Sequence, residues 1–227
     1  MIQWQFKMNN NKYRYLHLDG EMGGREVTYS LLTMYFGVTD LDFKPLGELY
    51  LKLKPDDGVY IVSGQGLRVN QIDLAKHDLE AITYKQASAV LYTFLNEHTA
   101  NGRRLIPVGH GVRGDIKHII GHKLLSEGSW NQFCTYHYLD TSVILQFLRA
   151  CNKLPMDGDG SVGALAQMFG IEIEGELHDG KVDAVTTAAI LQKFIQLGMG
   201  DVFIMPGVEE SDLPSFAGKG VTGTIKI

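Results

Sequence analysis

Tyr13-Arg14-Tyr15-Leu16-His17-Leu18-Asp19-Gly20-Glu21 is the stretch on which the reading of the fold turns. Apolar and polar residues alternate along it, which predicts a strand over 13–19. The same alternation sends Asp19 and Glu21 to one face and Leu16, Leu18 and Gly20 to the other. Two carboxylates on one face repel, so they belong either to a solvated strand end or to a bound cation. His17 shares their face and reads as a packed histidine.

Working outward, residues 2 to 7 alternate with Ile2, Trp4 and Phe6 on one side, a short N-terminal strand that turns at Asn9-Asn10-Asn11. Strands are expected over Val27–Val38 and Leu46–Leu53, and Pro55-Asp56-Asp57-Gly58 closes the antiparallel meander with strong turn residues. Helices follow over 70–80 and 84–98, the second with Ala87, Leu91, Phe94 and Leu95 at helical spacing. Arg104 to Val108 reads as a buried strand, and Gly109 to Gly114 as a turn into a helix carrying Ile116, Ile119 and Ile120. Another strand ends near Leu139, where Asp140 reads as the cap of the next helix. Further helices fit 161–169 and 181–197. Hairpin strands followed by alternating helices and strands predict an α/β fold, a mixed sheet flanked by helices.

Two more acidic clusters accompany the first: Gly109-His110-Gly111-Val112-Arg113-Gly114-Asp115 and His178-Asp179-Gly180-Lys181-Val182-Asp183. Each falls at a strand or helix end, so the three can converge at one edge of a sheet. Asp115 also suits the positive end of a helix dipole. Asp183 shares a helical stripe with Thr187, Ile190 and Phe194, and an acid on a buried stripe wants a partner. His178 lies just ahead of that helix, with Gly180 allowing a bend between them. Four carboxylates, Asp19, Glu21, Asp115 and Asp183, can share a site if cations sit between them. Mg²⁺ or Mn²⁺, hard ions that prefer oxygen ligands, are the natural occupants.

The three clusters, in this order and with His178 placed ahead of the last acid, resemble the three motifs of the DnaQ-like 3′-to-5′ exonucleases, in the DEDDh subgroup. The resemblance covers roughly residues 13 to 197. It implies a ribonuclease H-like, five-stranded mixed sheet over an exonuclease domain at 1–197, with residues 198–227 as a C-terminal extension. It also implies two divalent ions about 4 Å apart, held by Asp19, Glu21, Asp115 and Asp183, one activating water and one stabilising the leaving 3′-oxygen. His178 would act as the base, histidine being the side chain whose ordinary titration lies nearest neutrality. The expected products are nucleoside 5′-monophosphates cut from 3′ ends of single-stranded DNA, in proofreading or end trimming.

Several neighbours of the acids depart from the family pattern. The first motif commonly continues with two threonines, where Met22 and Gly23 stand, and the second commonly carries Asn and Phe at the places of Gly111 and Gly114. A histidine common in the following loop gives way to Gly64-Gln65-Gly66. Substrate contact is therefore expected at Gly20, Met22 and Gly111, with a roomier pocket for the terminal nucleotide.

Composition agrees with this class. A net charge of −5, from 21 basic and 26 acidic residues, speaks against dense gripping of long duplex, but not against an enzyme that holds a few nucleotides. The 227 residues contain no apolar run near the roughly 18 needed to span a bilayer, and the first residues lack a secretion-signal pattern. The expectation is a soluble, cytoplasmic protein without membrane association. Cys134 and Cys151 lack zinc-site spacing and read as buried thiols. Two alternatives use the same residues. One is a 3′-to-5′ exoribonuclease with an identical site. The other is a non-catalytic module docking onto a replication partner, whose mark would be a lost carboxylate. A homodimer is compatible with the family, though no interface can be read here. A dinucleotide enzyme would need a Gly-x-Gly-x-x-Gly after a first strand, which is missing.

Overall fold

The computed structural model describes residues 12–198; the expected strand at 2–7 and the extension after 198 lie outside them. Three antiparallel strands open the fold: β1 (Tyr13–Met22), β2 (Leu31–Thr39) and β3 (Pro45–Lys54). β1 then pairs in parallel with β5 (Arg104–Gly109), and β5 with the two-residue β6 (Leu139–Asp140). A two-residue β4 (Ile82–Thr83) pairs in parallel with the end of β3. Among the described residues the sheet has six strands in the order β4-β3-β2-β1-β5-β6, one more than the five expected. The mixed α/β architecture of a sheet flanked by helices is as expected, and the extra strand is the Ile82–Thr83 pairing, too short to show any alternation.

β1 obeys its alternation. Leu16 and Leu18 are fully buried beneath α3 (Tyr84–Thr99) and α4 (Val112–Gly121), packed with Phe36, Leu53, Leu91, Leu95 and Ile119. The opposite face carries Asp19 and Glu21, level with Tyr35 and Thr33 of β2. The register shifts between Glu21 and Met22, a bulge beside the acids of the kind that re-aims a strand end. On that face a second core joins α6 (Thr141–Ala150), α7 (Val162–Phe169) and α8 (Gly180–Gly198) through Leu145, Leu148, Leu165, Ile190 and Phe194.

Local chemistry sets most boundaries. Thr83 and Gln86 form a reciprocal capping box that starts α3. Asp140 caps α6, its carboxylate accepting the Ser142 N–H at 3.0 Å. The strand expected from Val27 begins only at Leu31, because residues up to Tyr29 turn, with the Tyr29 N–H bonded to Glu26 O. Of the helix expected over 70–80 only α2 (Leu74–Glu80) forms, and a separate α1 (Gly64–Asn70) ends where that expectation began. Gln71 takes a left-handed conformation between them and Asp73 caps the second. Two seven-residue helices went unforeseen: α1, started by Ser63, and α5 (Glu127–Phe133), started by Ser126.

Candidate active site

β1 and β5 run side by side only as far as His17 and Val108. Beyond that point β5 turns away through Gly109, His110 and Gly111, leaving the end of β1 without a strand on that side. Gly111 makes the turn with φ 80° and nothing within 4 Å of where a Cβ would stand, so α4 starts sharply after it. Asp115, one turn into α4, folds back against the vacated edge. It is 6% exposed, and its carboxyl accepts hydrogen bonds from its own N–H and from that of Gly20.

α8 delivers the third cluster from the other side. Its first residue packs so closely that a Cβ on Gly180 would stand 3.0 Å from Asp19 O. Asp183 in its first turn accepts the His178 backbone N–H on Oδ2 at 3.1 Å. Its Oδ1 is buried with no hydrogen-bond partner. A carboxylate oxygen of Glu21, a ring nitrogen of His178 and a carboxylate oxygen of Asp183 all lie within 4.8 Å of one another. Asp19 stands two residues before Glu21 on the same face, its carboxyl influenced by Asp115, Glu21 and Asp183.

The electrostatics are those of a site short of positive charge. Burial, reinforced by Asp115, Glu21, Asp183 and Asp179, pushes the Asp19 carboxyl well above its usual range. Burial and then Asp183, Asp115 and Asp179 push Glu21 up to about 8. Burial also raises Asp115 to about 8 despite its two backbone donors. Asp183 is raised by burial, with the His178 N–H opposing the shift. An unpartnered buried oxygen among raised carboxyls is what a divalent cation would satisfy, so the residues present fit a divalent metal ion.

A cleft of about 500 Å³ opens beside Glu21 and His178, bordered by Thr33, Tyr50, Asn70, Lys76 and Asp179. A second, also about 500 Å³, continues past Met22, Arg25, Gln65 and Gly66 and shares Glu21 and Asn70 with the first. The sequence offered no mark for Tyr50, Lys52 or Lys76, which look like ordinary solvent-facing residues until β3 and α2 bring them to the cleft beside the acids. Asp179 did carry a mark, adjacent to His178 in the third cluster. Asp140, read as a cap, also binds the Gly111 N–H at 3.0 Å, so that amide is already engaged. His17 is buried against Tyr15, with Nε2 3.0 Å from Thr39 Oγ1.

At the level of sequence, no family model and no curated protein matches the chain. Solved structures do. The zinc-bound form of the E. coli exonuclease I complex with single-stranded DNA superposes with a TM-score of 0.63 at 17% identity, over 82% of this chain and 40% of that one. An exonuclease I from Methylocaldum szegediense gives 0.62 at 16% identity, over 81% and 40%. Cell-death related nuclease 4 (CRN-4) gives 0.59 at 13%, over 82% and 64%. The fold is the one shared by these exonuclease and nuclease structures. This chain spans about two fifths of the exonuclease I chains it matches.

Within this fold, the glycines at 23 and 66 have a packing reason. A Cβ on Gly66 would stand 2.3 Å from Gly23 O, and one on Gly23 2.7 Å from Val62 Cγ1. Gly23 O also accepts from the Ser63 N–H at 2.7 Å and the Ser63 hydroxyl at 3.0 Å. The side-chain space given up at Gly23 is therefore filled by the start of α1. Gly111 and Gly114, with nothing within 4 Å of their Cβ positions, do leave room. Gly20 turns its α-carbon toward Met34 and meets the acidic face only through its backbone.

Proposed function

We propose that the protein is a metal-dependent 3′-to-5′ exonuclease that hydrolyses terminal phosphodiesters of single-stranded DNA, releasing nucleoside 5′-monophosphates. The observation that carries the reading is the meeting of Asp19, Glu21, Asp115 and Asp183, from three distant segments, around an unpartnered buried carboxylate oxygen. Those four residues would hold the divalent metal. Bound there, it supplies an activated water and charge stabilisation for phosphoryl transfer.

The chain's own groups divide the remaining work. The exposed imidazole of His178, beside Glu21 and Asp183, accepts the proton of the attacking water on a ring nitrogen. The His178 N–H holds Asp183 in one orientation, and the N–H of Gly20 does the same for Asp115. The two joined clefts receive the terminal nucleotide, with Met22 on its wall and Gly111 leaving clearance at the turn. The single-stranded DNA bound to the E. coli structure supports a single-stranded partner here.

The test is digestion of a 5′-labelled single-stranded DNA oligonucleotide with Mg²⁺, Mn²⁺ or chelator, beside an Asp19→Ala variant. A ladder shortening from the 3′ end, lost with chelator and in the variant, is expected. Intact DNA beside degraded RNA of the same sequence would move the substrate to RNA, and intact strands of both kinds would remove the enzymatic reading.

A further inference from the structure

Asp179 and Lys181, on either side of Gly180, both reach back to β3. Lys181 Nζ donates to Glu48 Oε1 at 2.8 Å, and the Tyr35 hydroxyl donates to Glu48 Oε2 at 3.0 Å. The Lys181 ammonium also lies 6.0 Å from the centre of the Tyr35 ring. The Tyr50 hydroxyl donates to Asp179 Oδ2 at 3.4 Å. Asp179 Oδ1 accepts the N–H groups of Lys181 and Val182 at 2.9 and 3.3 Å, fixing the first turn of α8. Glu48 and Tyr50 sit on one row of β3, level with Gly37 and Tyr35 of β2.

The segment they tie down is one that gains from being tied. His178 holds φ 70°, a left-handed conformation that a histidine adopts at a cost. From the site side its N–H bond to Asp183, the Asp183 N–H bond to Asp179 O at 2.9 Å and the packing of Gly180 on Asp19 anchor it. We propose that Glu48 and Tyr50 are positioning residues that, through Lys181 and Asp179, hold His178 against Glu21 and Asp183. The proposal rests on the reading of His178 as the proton acceptor. Exposed ion pairs add little stability, so removing this clamp separates placement of His178 from folding. Misplacing a reacting group by about 1 Å can cost on the order of 100-fold in rate, so loosening a segment that keeps its other anchors is expected to cost about 10-fold.

The experiment compares a Glu48→Gln, Tyr50→Phe double variant with the charge-swapped pair Glu48→Lys, Lys181→Glu. Lys54→Met, which breaks the Lys54–Asp78 bridge on the same strand, is the control. Two readouts are taken: kcat and KM on single-stranded 3′ ends, and the imidazole ¹H–¹³C resonance of His178 in histidine-labelled protein. The double variant is expected to lose kcat about 10-fold at a near-unchanged melting temperature and to shift the His178 resonance. The charge-swapped pair recovers much of both, and the control moves neither. An unshifted His178 resonance, or kcat lost only in proportion to folded protein, would overturn the clamp. The two hypotheses fail separately. Digestion abolished by Asp19→Ala but untouched by the double variant removes the clamp alone. A shifted resonance in a protein that digests nothing keeps the clamp and removes the exonuclease.

Discussion

Asp115→Asn should make the metal-free protein more stable, and increasingly so as the pH rises. In the wild type, burial takes the Asp115 carboxyl from 3.8 to about 8. The folded chain therefore keeps a proton that the unfolded chain has released, and metal-free stability is lost as pH rises between those two values. For that one group, linkage gives roughly 3–4 kcal/mol between about pH 5 and about pH 8. In a chain of this size that is on the order of 10 °C in melting temperature. Asparagine cannot ionise, and its side-chain oxygen can still accept the Gly20 N–H. Burial keeps His17 at about 4 and lowers His110, His118 and His122 as well, so these groups destabilise the fold as pH falls below about 6.5. Their opposite slope is common to both proteins and cancels in the comparison. Thermal melts by circular dichroism in chelator, across this range, should show the variant gaining on the wild type. With Mn²⁺ added near pH 8 the order should reverse, because the wild type alone keeps all four carboxylates. A melting-temperature difference that does not change with pH, or an equal Mn²⁺ effect on both proteins, would refute the reasoning.

His178→Ala should lower kcat on single-stranded DNA by roughly 100- to 10,000-fold while leaving oligonucleotide affinity near wild type, measured by single-turnover digestion and fluorescence anisotropy. Gly66→Ala should cost about 1–3 kcal/mol in a urea titration, because the new methyl meets Gly23 O at 2.3 Å and backbone has to move. The same change should slow digestion, since Gly23 follows Met22 on the cleft wall. Leu91→Ala, at a fully buried position of α3, should cost about 2–5 kcal/mol in the same titration without altering kcat of the folded fraction.

Much of the architecture could be read locally. β1, α3 and α8 were legible because each carries a clean period and a recognisable boundary, such as the Thr83–Gln86 box before α3. The helix expected over 70–80 starts only at Leu74, because Gln71 takes a left-handed conformation and Asp73 caps the helix there. α1, α5 and β4 were missed because seven residues or fewer are too few to display a period. The acids of the candidate site stood out because carboxylates clustered at element ends have no core role. The residues that frame the cleft did not, since Tyr50, Lys52 and Asn70 carry the chemistry of any half-exposed surface.

By itself the sequence determined which residues face one another's side of β1, where α3, α6 and α7 begin, and that four carboxylates and a histidine sit at element boundaries. These are properties of alternation, capping and composition, which act over a few residues. Only the tertiary structure decided that β5 leaves β1 at Gly109 so that Asp115 can occupy the free edge. It likewise decided that α1 closes the space at Gly23, and that Glu48 and Tyr50 reach the His178 segment across 133 and 129 positions of chain. Such contacts depend on strand order and on how close two backbones come, and nothing in the local pattern of either partner encodes that distance.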